Sequence, residues 1–242
     1  KKNGIYNLIL KKKKKFLFKK IKICAGVFGT QKILKKSMKK LTFKKVEQAQ
    51  SFIIPAISLK DYKDSKIDKQ VIYNSKKFGN IYFEFKKDDE LLKKTLNPIN
   101  FFFQKFIPKI LIKKTFIIWG FIPSKFSYDY KIIKNKILIN NFNKKKKVKT
   151  LKYIEMVSYI LKEKLNFIVF NKIIKLNQFA RSYHIGSNIP MSLKKKKYIT
   201  TKINGELNLK NYDNIFIAGS SVFPNLPSKS HGLTILANSL RI

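Results

Sequence analysis

The sequence predicts an α+β fold, with an antiparallel sheet inserted into an α/β layer whose two pieces come from opposite ends of the chain. Three observations predict it. The middle of the chain carries short runs rich in β-branched and aromatic residues, bounded by turn residues. Both ends instead show a strand that runs through small residues into a segment with helical spacing. Hydrophobic residues make up 44% of 242, including 21 Phe and 11 Tyr, which is enough for a packed core and unlike a disordered chain.

The elements follow in order. IYNLIL and FLFKKIKI (5–23) flank a run of lysines and read as a hairpin. CAGVFGTQKILKKSM (24–38) closes a strand at Cys24, turns at two glycines and opens a helix carrying Ile33, Leu34 and Met38, with Thr30 as its expected N-cap. SFIIPAI (51–57) is a short apolar piece, and 69–87 reads as two strands around a Lys-Phe-Gly turn. Residues 88–112 have helical spacing interrupted by Pro98 and Pro108. Three strand candidates fill 116–142: FIIWGFIP, FSYDYKII and KILINNF. Residues 148–167 give the clearest helix, with Leu151, Ile154, Val157, Tyr159 and Leu161 as its expected buried stripe. Then come a loop holding SYHIGSNIPM, a basic KKKK, a turn at Asn204-Gly205, the strand NIFIAG, another loop, and a last helix starting near Leu233 or Thr234.

The net charge of +41 raises the class of nucleic-acid or anionic-membrane binders. The composition of that charge points elsewhere. Only Arg181 and Arg241 are arginines, whereas phosphate and base-edge readers draw on the bidentate guanidinium fork. Lysines are spread along most of the chain rather than gathered on one segment, and 211–228 has none. The charge therefore reads as a solvated lysine surface, with no specific nucleic-acid partner expected. The single cysteine excludes an internal disulfide framework and a Cys-rich zinc site, and fits a reducing compartment such as the cytoplasm. The longest apolar region, 101–122, is broken by Lys105, Lys109, Lys113 and Lys114, so no membrane span is expected where one needs about 20 uncharged residues. The sequence begins KKNG without Met and ends mid-pattern at LRI, which predicts a fragment of a longer chain.

Only two histidines occur, His184 and His231, each in a stretch rich in Gly, Ser and Pro. NIFIAGSSVFP (214–224) is a buried-looking strand ending in small residues, which permit close approach of a ligand to the backbone. The following loop delivers His231 to the mouth of the last helix, where the helix dipole favours a developing anion and a neutral imidazole. Taken alone, His231 reads as a loop histidine of no consequence.

The last 60 residues resemble the C-terminal end of the glucose–methanol–choline (GMC) family of flavin oxidoreductases. The residues carrying the likeness are Tyr183-His184, Ser187 and Pro190-Met191, then IAGSSVFP, then Ser230-His231 followed by LTILANSLRI. A second match is IKICAGVFGTQKILKKSM, which resembles the family's second signature at Gly26, Thr30, Ile33, Leu34 and Ser37. Val27, Gln31 and Met38 depart from the small residue, Pro and Gly usual there, so this match alone would suit any βα turn. Residues 45–180 match only in outline.

The resemblance implies a flavin-dependent alcohol oxidoreductase acting on the CH–OH group of a sugar, polyol or other alcohol. Residues 1–44 and 181–242 would complete an FAD-binding domain, and 45–180 would form the substrate-binding domain. His184 would be the base, and His231 would hydrogen-bond the substrate oxygen. Gly232 and Leu233 would face the flavin ring, Ala218 and Gly219 the ribityl-pyrophosphate, and Gly26 would belong to the same cofactor-binding set; no metal is expected. The G-x-G-x-x-G turn that cradles the pyrophosphate in such enzymes is nowhere in the sequence. The implied partner is therefore an N-terminal FAD-binding portion, without which this chain binds FAD poorly or not at all. The electron acceptor is not written in these residues. The competing readings are a lysine-rich module for nucleic acid or anionic membrane, and a decayed, inactive enzyme fragment.

Overall fold

The computed structural model describes residues 6–9, 15–38, 41–60, 69–86, 114–127, 129–133, 136–139, 144–176, 184–194, 196–210 and 212–242. In chain order they form β1 (Tyr6–Ile9), β2 (Lys15–Phe18), β3 (Ile21–Ile23), α1 (Gly26–Ser37), β4 (Val46–Gln48), β5 (Gln50–Ser58), β6 (Lys69–Ser75), β7 (Gly79–Lys86) and β8 (Thr115–Ile122). There follow β9 (Asp129–Ile133), β10 (Lys136–Ile139), α2 (Lys144–Tyr159), β11 (Phe167–Val169), β12 (Lys175–Leu176), β13 (Ile185–Gly186), β14 (Ile215–Ile217) and α3 (Gly232–Leu240). The expected helical segment 88–112 lies outside the described residues. Among those described, no helix is long and apolar enough to cross a membrane.

The fold is mixed α and β around an antiparallel sheet of order β11-β5-β8-β7-β6, with β12 also on β5. A second antiparallel sheet has the order β10-β9-β4-β13. Alternation explains how the large sheet carries two different faces. Phe52, Ile54 and Ala56 of β5, Ile81, Phe83 and Phe85 of β7, and Phe116, Ile118 and Ile122 of β8 point into one core. That core is closed by Tyr153, Ile154, Val157 and Leu161 of α2 and the turn after it. The intervening residues of β8, Trp119 and Phe121, face the opposite way, into a second core built from α1, β3, β14 and the C-terminal loops. Gly120 marks the crossover of the two demands. The Phe52 ring covers it so closely that an added Cβ would lie 2.6 Å from that ring and 2.9 Å from the Tyr82 carbonyl oxygen.

Both ends of the chain meet in a parallel pair, β3 with β14, in register Ile21↔Ile215 to Ile23↔Ile217. The segment FLFKKIKI is therefore divided. Its first half closes the expected hairpin as β2 against β1, and its second half leaves at Lys19–Lys20 to pair with β14. The 205–207 segment covers the far edge of β14, through Leu207 N–H to the Ile215 carbonyl (2.7 Å) and Ile217 N–H to the Gly205 carbonyl (2.9 Å).

Two local expectations are corrected. Thr30 is not the N-cap of α1, because the helix opens at Gly26 with Ala25 preceding it, and Thr30 is buried inside the helix. Gly26 enters at φ +65°, so the chain turns into the helix five residues earlier than a cap at Thr30 would place it. The stripe of α2 is also rotated. Leu151 and Tyr159 are exposed, while Thr150 and Tyr153 are buried beside Ile154, Val157 and Leu161. At about 100° per residue, Leu151 and Tyr159 lie roughly 120° and 160° around the axis from Val157, and Tyr153 only about 40°. The helix also starts earlier than expected, and it runs into a π-type turn at Ile160–Lys164.

A histidine pair at the end of the parallel strands

The site is assembled by a ladder that joins two distant stretches. Ser187 N–H donates to the Ser220 carbonyl (2.9 Å), Ile189 N–H to Ser221 (3.0 Å) and Met191 N–H to Val222 (2.7 Å). The Ser220 hydroxyl donates to the Ile185 carbonyl at 2.7 Å. Gly186 is required here, because a Cβ would strike the Ser220 backbone. On its other side β13 pairs with β4, and Ala49 N–H donates to the His184 carbonyl at 2.9 Å. The backbone from His184 to Ser187 is thus held from two sides.

The His184 ring stacks on Phe121 of β8, with centroids 3.8 Å apart and planes at 20°. His231 precedes α3, whose Ile235 N–H donates to the His231 carbonyl at 2.8 Å. His231 is 4% exposed; its ring edges against Phe223 at 5.8 Å and meets His184 at a centroid distance of 4.4 Å and 65°. The two histidines of the sequence are therefore neighbours in space. Burial, and next to it the His231 ring, hold the His184 pKa down to about 4. Burial also lowers His231. Both imidazoles are neutral near pH 7, and a neutral imidazole carries one donor and one acceptor nitrogen. The Nδ1 atom of His231 is buried and has no hydrogen-bond partner among the described residues.

The remaining expected site residues lie at the carboxyl ends of the parallel pair. Ala218 N–H donates to the Ile23 carbonyl at 3.0 Å, extending β14 by one rung. Gly219 then turns away at φ +99°, and Gly26, just past β3, at φ +65°. An added Cβ would meet nothing within 4 Å at Gly26, Gly219 or Gly232, so all three backbones border open space. Leu233, in the first turn of α3, is 84% exposed. Neither α1 nor α3 has a side-chain hydrogen bond at its N-cap. Open space past the carboxyl ends of parallel strands, faced by glycines and uncapped helix N-termini, is where α/β sheets receive phosphate-bearing ligands. The residues present fit a dinucleotide in that respect.

Several contributors were not singled out from the sequence. Phe121 is the platform for His184, and its signal was the alternation Ile117, Trp119, Phe121 on one face of β8. Gly186 could have been found as the glycine inside SYHIGS. Gln31, noted only as a departure from Pro, accepts from Asn188 Nδ2 at 3.0 Å in a fully buried contact between α1 and the His184 segment. No protein-family model matches the chain, and neither does any curated protein.

Proposed function

We propose that this chain is the substrate-facing part of a GMC-type, FAD-dependent oxidoreductase acting on alcohols. The observation that carries the reading is the pair of neutral histidines 4.4 Å apart beside glycine-bordered space at the ends of two parallel strands. FAD, when bound, supplies the hydride acceptor that no side chain provides. This chain's residues supply the proton chemistry. His184 takes the hydroxyl proton at a ring nitrogen, and its lowered pKa keeps that nitrogen available at neutral pH. His231 hydrogen-bonds the same oxygen and shares its developing negative charge, with the amide dipoles of α3 behind it. Phe121 holds the His184 ring in plane and excludes water from its face. Ala218, Gly219 and Gly26 would hold the pyrophosphate side of FAD, and Gly232 and Leu233 its ring edge.

The glycine-rich nucleotide turn would come from a cofactor-binding portion outside these 242 residues. Leu233, Leu236 and Leu240, exposed along one face of α3, are the apolar surface it would cover. The test is stopped-flow flavin reduction with the complete FAD-loaded protein. His184→Ala should slow reduction at least about a hundredfold, the usual size of a general-base contribution. Unchanged reduction removes His184 from the chemistry, and a complete protein that takes up no flavin removes the reading altogether.

A further inference from the structure

Lys44, just before β4, does not behave as a solvated surface lysine. An ammonium has three protons to donate, and Lys44 has three protein acceptors: Glu47 Oε1 at 2.6 Å, Ser187 Oγ at 2.9 Å and the Pro224 carbonyl at 3.0 Å. Its backbone N–H also donates to the Asn188 carbonyl at 3.2 Å. Each acceptor extends the network. The Ser187 hydroxyl donates to the same Pro224 carbonyl at 2.8 Å. Glu47 Oε2 accepts from the Ser124 hydroxyl at 2.5 Å, and Ser124 Oγ in turn accepts from the Leu226 N–H at 2.8 Å. The Ser124 N–H donates back to the Leu226 carbonyl at 3.0 Å. The loop 224–226 is therefore gripped at both ends, and it runs on into His231. Ser187 is fully buried and sits at φ +63°, three residues after His184. A serine with a left-handed backbone persists only where its surroundings over-determine it. Here the Ser220 carbonyl, the Pro224 carbonyl and the Lys44 ammonium do so.

We infer that Lys44, with Glu47, Ser187 and Ser124, is a positioning residue: it pins the loop that carries His231 to the strand that carries His184 and so sets the distance between the two imidazoles. The inference rests on the alcohol-oxidising reading for what that distance serves, but not for the positioning itself. The two rings belong to stretches 47 residues apart in sequence. The backbone ladder fixes the His184 side only as far as Ser220–Val222, where it ends. Beyond it, Lys44 and Ser187 at Pro224 and Ser124 at Leu226 hold the loop on the way to His231. Charge-assisted hydrogen bonds suit this task, being shorter and stronger than neutral ones. Two rings that serve one oxygen must each reach it within about 2.6–3.2 Å. A displacement of about 1 Å is therefore enough to cost the reaction up to about a hundredfold.

Two histidines in the whole chain make the positioning readable without any flavin. The experiment is a proton NMR titration of the two imidazoles in the wild type, in Lys44→Met and in Ser187→Gly. Lys44→Met keeps the apolar stem and removes the ammonium. Ser187→Gly removes the hydroxyl and leaves a residue at ease with φ +63°, so it does not test the fold. In the wild type, ring-to-ring nuclear Overhauser contacts are expected from the 4.4 Å centroid distance. Both variants should weaken those contacts. Both should also let His184 bind its proton more tightly, roughly tenfold in Lys44→Met, as burial and the His231 ring that hold its pKa down are relaxed. A network that only added stability would lower the melting temperature and leave both signals unchanged. Unchanged contacts and an unchanged His184 titration in the two variants overturn the inference, and if Lys44→Met does not fold, Ser187→Gly decides it alone. In the complete FAD-loaded protein, Lys44→Met should slow flavin reduction about tenfold or more with little change in KM. The two readings fail separately. Displaced imidazoles in a protein that never reduces flavin sink the redox reading alone, whereas undisturbed imidazoles in an active one sink the positioning alone.

Discussion

Lowering the pH from 7 to 5 should destabilise the fold through the histidine pair. The folded His184 pKa, about 4, lies below the ordinary value near 6.5. The folded state therefore binds fewer protons than the unfolded chain between these values. The stability this contributes is complete above pH 6.5 and is lost as the pH falls toward 4. For a fully sequestered group the loss from pH 7 to 5 would be about 2 kcal/mol. His184 is half-buried, and solvent screening brings the loss to about 1 kcal/mol. In a chain of this length that is a fall in melting temperature of about 2–4 °C. His231, shifted the same way, adds to it. The assay is thermal unfolding followed by circular dichroism at pH 7 and pH 5, above the range where ordinary carboxylates titrate. His184→Gln, which cannot take up the proton, should lose most of the pH dependence. An equal fall in the wild type and in His184→Gln would refute the assignment of the titration to His184.

Two further substitutions test the packing that positions the site. Gly120→Ala puts a methyl 2.6 Å from the Phe52 ring and 2.9 Å from a backbone oxygen, and should cost about 1–3 kcal/mol in chemical denaturation; a neutral result would show that Phe52 is free to move. Gln31→Leu leaves the Asn188 amide buried without its acceptor, for a loss of about 2 kcal/mol, and adding Asn188→Leu should recover part of it; strict additivity of the two would show that they are not coupled.

Much of the sheet was legible because its strands obey rules of short range. The β6–β7 hairpin announces itself by alternation around a Lys-Phe-Gly turn, and β8 by its density of Ile and Phe. The helix α2 was legible as a helix, but its buried face was not. Leu151 and Tyr159 look like core residues by type, and only the sheet packed against the helix decides that Tyr153 goes in instead. The start of α1 was misplaced for a related reason. Thr30 has the chemistry of a cap, yet its place is set by the packing of α1 on the turn after β14. The split of FLFKKIKI into two strands was invisible, since β3 is defined by a partner at the far end of the sequence. In the site, the two histidines stood out by their rarity. The platform under them did not, because alternation in β8 places Phe121 on one face of the sheet without saying that the His184 ring, 63 residues later, stacks there.

The parallel pair has a consequence for how the molecule comes to exist. Ile21 and Ile215 are separated by almost the whole chain, whereas β6 and β7 are joined by a three-residue turn. Closing so large a loop is entropically expensive, and contacts of that separation form after local ones have shortened the path. The sheet can therefore nucleate within the middle of the chain, and the histidine ladder is among the last contacts to close. During synthesis, that sheet is exposed on its Trp119 and Phe121 face until the final residues emerge. That is the interval in which the chain most needs protection from self-association.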